Sequence, residues 1–334
     1  MVTVRLRAAT ATEWNRLLRE GPADYALAHT FDFGRAIASA YPGYTFEPLV
    51  GEFEDGTIVL WPLVRIQGKL EFLRRFEAMP LSLNGFPITA RGELTSRHLS
   101  ALISGLRADS LELSSGALDD PPTALAAGRW TVRRCTTHVL DLRGGWGEVW
   151  ERRFSKKARN QCRMAWKKGV SVRTAQGMAD FEGYYETYCD STRRWGYTHP
   201  PYPMALFQAL AGIVDSGVEL KLGQVDGRTV AGIVLMHGRR STLYWSGAML
   251  KEAAMHSVNN ALLEVAVREA CERGEAIFDF GASGELDSVR EFKEGFGAVA
   301  TGYECLGLES RRHGLLGKTA RFVRKVLPQR QAGS

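Results

Sequence analysis

Two stretches near the end of the chain carry the residues best suited to chemistry. Phe278-Asp-Phe-Gly-Ala-Ser283 is followed by Arg290-Glu-Phe-Lys-Glu-Gly-Phe-Gly297, which sets Lys293 between Phe292 and Phe296 in an aromatic, glycine-rich frame. An ammonium held there would be partly desolvated and rigid, fit to stabilise a developing negative charge or an anionic substrate. A solvated lysine on an amphipathic segment is the plainer reading of the same residues. Asp279 closes an apolar run that reads as a buried strand, where a carboxylate either does chemistry or holds its own Phe-Gly turn. His138 alternates with apolar neighbours in Thr136-Thr-His-Val-Leu-Asp-Leu142 and reads as a packed strand residue.

Positive charge is concentrated in two places. Between Glu151 and Arg173 nine basic residues face one acid, and helical spacing gathers Arg152, Lys156, Arg159, Arg163 and Lys167 into a stripe opposite Trp150, Phe154, Ala158, Cys162 and Ala165. One face would be buried and the other would present a cationic ridge to a phosphate-rich partner, or simply to water. From Ser310 to Ser334 there are seven basic residues and no acid, with an apolar side at Leu315, Leu316, Ala320, Val323 and Leu327. That pattern predicts a basic amphipathic helix able to meet RNA or an anionic lipid surface. Gly317-Lys318-Thr319 looks like the end of a phosphate-binding loop, but Arg312 replaces the earlier glycine, so nucleotide hydrolysis is not expected.

The elements that must position these residues follow from periodicity. Helices are expected near 11–20, 31–40 and 95–108, and strands near 46–53, 57–65, 110–114 and 130–141. A basic helix over 146–168 stops at Gly169. Beyond it come a strand near 170, helices near 178–194 and 203–214, strands near 218–225, 229–236 and 242–247, a long helix near 256–273 capped by Ser257, and a strand over 276–280. Asp-Gly turns at Asp55-Gly56 and Asp226-Gly227 join two strand pairs. The repeated order of elements suggests a degenerate tandem duplication.

Composition bounds the rest. At 334 residues the chain suits two α/β domains, and no segment approaches a membrane span. The start lacks the pattern of an export signal, so a cytoplasmic protein is expected. Five scattered cysteines and seven dispersed histidines give no metal spacing, so no metal is expected, and the cysteines should be reduced.

Several motifs occur in order: Phe154-Ser-Lys-Lys-Ala-Arg-Asn160, Asp190-Ser-Thr-Arg-Arg-Trp-Gly196, Thr242-Leu-Tyr-Trp-Ser-Gly247, Phe278-Asp-Phe-Gly281 and Phe292-Lys-Glu-Gly-Phe-Gly297. Over roughly residues 137–298 the set resembles FemABX-type aminoacyltransferases and their GNAT-like (BioF2-like acetyltransferase) relatives. The resemblance implies two tandem GNAT-like domains, each a mixed central sheet flanked by helices, with a cleft between them. The implied division is 1–145 and 146–308, with a C-terminal helix 309–334 joining the first. The implied activity passes an acyl group from aminoacyl-tRNA to an acceptor amine, a cell-wall precursor or metabolite that is nucleotide-linked or anionic. No cofactor and no covalent enzyme intermediate are expected.

By the same resemblance Phe292 and Lys293 lie at the attacked ester, Arg193 or Arg194 meets an acceptor phosphate or carboxylate, and Tyr244 lines the acceptor channel. Trp195 and Asp279 join the substrate site, and Lys156, Arg159, Arg163 and Lys167 face the tRNA. The acidic residue that cell-wall members carry in the first domain has no counterpart in Met79-Pro-Leu-Ser-Leu-Asn84, so the general base is unassigned. Aminolysis of an ester needs approach and charge stabilisation, not a nucleophilic triad. Two alternatives stand beside this reading: an acyl-CoA N-acyltransferase on the same scaffold, and a non-catalytic nucleic-acid or polymer-binding protein. The turn Met249-Leu-Lys-Glu-Ala-Ala-Met-His256 lacks the glycines that cradle a CoA pyrophosphate.

Overall fold

The computed structural model describes residues 2–68, 70–81, 83–116, 130–283 and 286–310. The chain opens with β1 (Val4–Ala8), α1 (Ala11–Glu20), α2 (Phe31–Ala40) and the antiparallel pair β2 (Tyr44–Phe53) and β3 (Ile58–Ile66). Short strands β4 (Arg75–Ala78) and β5 (Ile88–Arg91), helix α3 (Ser96–Leu106), and strands β6 (Ser110–Ser114) and β7 (Trp130–Asp141) follow. Thr10, Thr30 and Thr95 cap the three helices, each hydroxyl accepting the backbone N–H three residues on. Pro48 and Pro62 stand opposite each other, and Pro62 falls between the segments of β3 that pair with β5 and with β4. The two missing donors therefore coincide in a gap of the ladder.

The remainder comprises α4 (Gly145–Glu148), α5 (Lys156–Lys167), β8 (Ser171–Thr174), α6 (Met178–Arg194), α7 (Met204–Ala211), β9 (Val218–Val225), β10 (Arg228–His237), β11 (Ser241–Met249), α8 (Val258–Glu272), β12 (Ile277–Ala282), α9 (Asp287–Gly295) and β13 (Val299–Glu309). The helix expected over 146–168 is two pieces. A π-helical turn over Val149–Arg153 continues α4, the backbone turns extended at Phe154, and Ser155 caps α5 by accepting the Ala158 N–H. The break is a packing joint: the Ser155 N–H donates to the Gly295 carbonyl, and a Cβ at Gly297 would stand 2.6 Å from the Arg153 carbonyl oxygen. Ser257 does precede α8, but in the left-handed region and with its hydroxyl on Gln161 rather than on the helix amides.

Among the described residues the strands form one sheet in the order β1-β2-β3-β4-β6-β13-β7-β12-β11-β10-β9-β8, with β5 beside β3. It runs without interruption past residue 145. β13 was not expected, and it lies between β6 and β7, tying the last strand to the first half. Of the expected segment 309–334, Glu309 ends this strand and residues beyond Ser310 lie outside the described ones. One face of the second half packs α5 and α8 against Phe278 and Phe280, and the other packs α2, α6 and α7 against Val234 and Met236. Burying these apolar faces at about 25 cal/mol per Å² dominates the stability of the arrangement. No helix among the described residues is long and apolar enough to cross a membrane.

Candidate active site

The site is built at the end of β12. Its parallel pairing with β11 lasts three residues, Ser241–Leu243 against Ile277–Asp279, after which the strands part. Asp279 then accepts the Gly281 N–H at 2.8 Å while Gly281 takes a left-handed φ of +72°. This turn brings the Gly281 and Ala282 carbonyls to Lys293 on α9, whose Nζ donates to both at 2.8 Å. Those two bonds leave one of the three ammonium donors.

Lys293 is only 4% exposed. Phe292 meets Phe296 edge-on at 5.2 Å, and Phe296 is fully buried beneath it. Burial pulls Lys293 down to about 8, against the opposing pull of Asp279. Asp279 moves the other way: burial pushes its carboxyl up, countered by the Thr137 hydroxyl and the Gly281 N–H. His138 is held below the usual imidazole range by burial and then by the charge of Lys293.

A cavity of about 150 Å³ adjoins this turn, and both halves of the chain line it. Tyr25, Asn84, Ser115 and Thr137 come from the first half and Thr242, Asp279, Gly281, Ala282 and Tyr303 from the second. Gly281 and Ala282, whose carbonyls hold the buried ammonium, thus line the cavity, while Lys293 and Phe292 stand behind them and are not among its lining residues. Such a place can hold a carbonyl compound and stabilise charge growing on its oxygen.

The other predicted residues are placed differently. Arg194 donates to Asp190 at 3.0 Å, to the Ser191 hydroxyl at 2.9 Å and to the Met249 carbonyl, so its guanidinium locks α6 to the end of β11 instead of waiting for an acceptor. Arg193 is exposed beside Asp190 at 3.8 Å, and Trp195 is 54% exposed. Tyr244 packs in the core on the α8 side, edge-on to Phe280, and is absent from the cavity lining. On α5, Arg159 donates to the Trp150 and Glu151 carbonyls and to the Glu151 carboxylate, and Arg163 covers the Trp150 ring. Lys156 and Lys167 are exposed and carry no ion pair among the described residues. The ridge therefore offers fewer free cations than its spacing suggests.

Residues 152–294 match the family model of an acetyltransferase (GNAT) domain. No curated protein matches the chain in sequence. Among solved structures, FemX superposes with a TM-score of 0.68 at 14% identity, over 90% of this chain and 96% of that one. The fold is FemABX- and GNAT-like. The C-terminal domain of a proposed lysylphosphatidylglycerol synthetase from Agrobacterium fabrum gives a TM-score of 0.56 at 13% identity, over 94% and 97% of the two chains. A tandem GNAT protein from the clavulanic acid biosynthesis pathway gives 0.54 at 13% identity, over 92% and 98%. In this GNAT-like scaffold the cavity-lining Thr137 and Tyr303 were not singled out from sequence. Only the pairing of β7 with β12 and β13 brings them there.

Proposed function

We propose that the chain transfers an aminoacyl group from its tRNA ester to an acceptor amine, without a covalent enzyme intermediate. The observation that carries this reading is Lys293: a buried ammonium with one donor left, bonded to the carbonyls of two residues that line the cavity. As the amine adds to the ester carbonyl, the oxygen gains negative charge that the ammonium stabilises. The amine proton ends on the departing ribose hydroxyl. Asp279, which lines the cavity, would orient an incoming ammonium group before it loses its proton. Lys156 and Lys167 would meet the tRNA backbone. Likeness to FemX and to the lysylphosphatidylglycerol synthetase domain supports aminoacyl transfer, and leaves a cell-wall precursor, a lipid headgroup or a metabolite as acceptor.

The second reading is acyl-CoA-dependent N-acyl transfer, favoured by the acetyltransferase match over residues 152–294. The turn before α8 weighs against it. It winds into a 3-10 helix over Lys251–His256, and the N–H groups of Ala253, Ser257 and Asn260 bond within the turn. They are not gathered to cradle a pyrophosphate. The test is a transfer assay with bulk charged tRNA against acetyl-CoA, with cell extract as acceptor and mass spectrometry as readout. Labelled product from charged tRNA alone is expected; product from acetyl-CoA alone would overturn the first reading.

A further inference from the structure

We propose that Ser283 and His138 form a proton relay beside Lys293, the acceptor amine passing a proton to the Ser283 hydroxyl as the hydroxyl proton moves to Nδ1 of His138. The inference rests on the aminoacyl-transfer reading. Ser283 directly follows Gly281 and Ala282, whose carbonyls hold the ammonium, and its Oγ lies 3.1 Å from Nδ1 of His138. Both residues are buried, at 9% and 2% exposure, while the adjoining Ala282 is exposed and lines the cavity. The relay and the charge-stabilising group thus share one strand end.

The imidazole is unusual for a core residue. Among the described residues its Nε2 is buried without a hydrogen-bond partner, whereas buried polar atoms are ordinarily paired. The Glu294 carboxylate stands 3.9 Å from it. In the tautomer with Nδ1 bare, the ring accepts the Ser283 proton and becomes an imidazolium facing that carboxylate. Lys293, Arg290 and Glu294 face the ring from α9 and Asp279 from β12, and Ala300 stands opposite on β13. Burial and Lys293 keep the ring neutral near neutral pH, and so able to accept. The atoms balance. The amine lone pair forms the C–N bond, its proton travels by Ser283 to His138, the ester C–O bond breaks, and the relay reversed returns the proton to the ribose oxygen.

The test is the pH profile of kcat with charged tRNA for wild type, His138→Gln, Ser283→Ala and Lys293→Met. Wild type should show an acid limb set by His138 and an alkaline limb near pH 8. His138→Gln should lower kcat by about 10²- to 10³-fold, abolish the acid limb and leave donor affinity unchanged. Ser283→Ala, a smaller change that keeps the test available if His138→Gln does not fold, should do the same, and Ser283→Thr should restore much of the rate. Unaltered kcat and acid limb in folded His138→Gln or Ser283→Ala, with Lys293→Met inactive, would overturn the relay and leave the transfer reading intact. A wild-type enzyme that transfers nothing from charged tRNA would sink the transfer reading, and the relay with it.

Discussion

Among the described residues two lysines are almost fully buried, and their surroundings differ. Lys221, 2% exposed, is neutralised by Glu219 and Glu269, each at 2.7 Å, and Thr174 lies at 3.4 Å. Glu219 is in turn tied to His237, and the network extends through Thr242 to Glu275 and Arg273. Among the described residues Lys293 has two backbone carbonyls and no carboxylate within ion-pair distance, only the field of Asp279. A paired buried charge is a structural fixture, whereas an under-compensated one keeps its affinity for negative charge arriving from outside. The lysine beside the cavity is the one left under-compensated.

Exchanging each lysine in turn sharpens that contrast. Lys293→Met should lower steady-state transfer by at least about 10³-fold, some 4 kcal/mol of barrier, while Lys221→Met should leave turnover per folded molecule unchanged. Equal losses from both would erase the distinction. In urea unfolding the order reverses. Lys221→Met should lose about 3–5 kcal/mol because Glu219 and Glu269 lose the buried ammonium between them. Lys293→Met should change stability by no more than about 1–2 kcal/mol, since relief of ammonium burial offsets two lost hydrogen bonds.

pH offers a third handle. Folding lowers Lys293 from its ordinary 10.5 to about 8, so across that window the unfolded chain binds more protons than the folded one. Its contribution to stability therefore rises with pH from about 8 to 10.5. Wild type minus Lys293→Met stability, measured by urea titration, should climb through this range; a falling difference would contradict the assignment. The smallest effect belongs to α5. Lys156→Glu with Lys167→Glu should weaken donor binding and flatten its salt dependence by about two phosphate contacts, while leaving Lys293 chemistry intact. Unchanged salt dependence would mark the ridge as ordinary surface.

Much of the scaffold was legible in the residues. α2, β7 and α6 lie where periodicity puts them, because long runs of period 3.6 or 2 leave little choice. β4 and β5 are four residues each, too short to show a period, and β13 carries Gly302 and Gly307 within its alternation. The break at Ser155 was hidden because the apolar stripe continues in phase from Phe154 to Ala158. At the site, Lys293 and Asp279 were visible from their local frame. The tie of Arg194 to the Met249 carbonyl was not legible, because that partner lies 55 residues on. His138 and Ser283 are 145 residues apart, and Cys135 and Cys305, whose sulfurs come within 3.3 Å, are 170 apart. Strand pairing alone unites them.

The most direct measurement is a single-turnover rate with saturating charged tRNA and acceptor, comparing wild type with Lys293→Met so that binding and product release drop out. A rate constant lower by about 10³-fold at unchanged donor affinity is the predicted result. Matching rate constants would show that the buried ammonium takes no part in the acyl transfer.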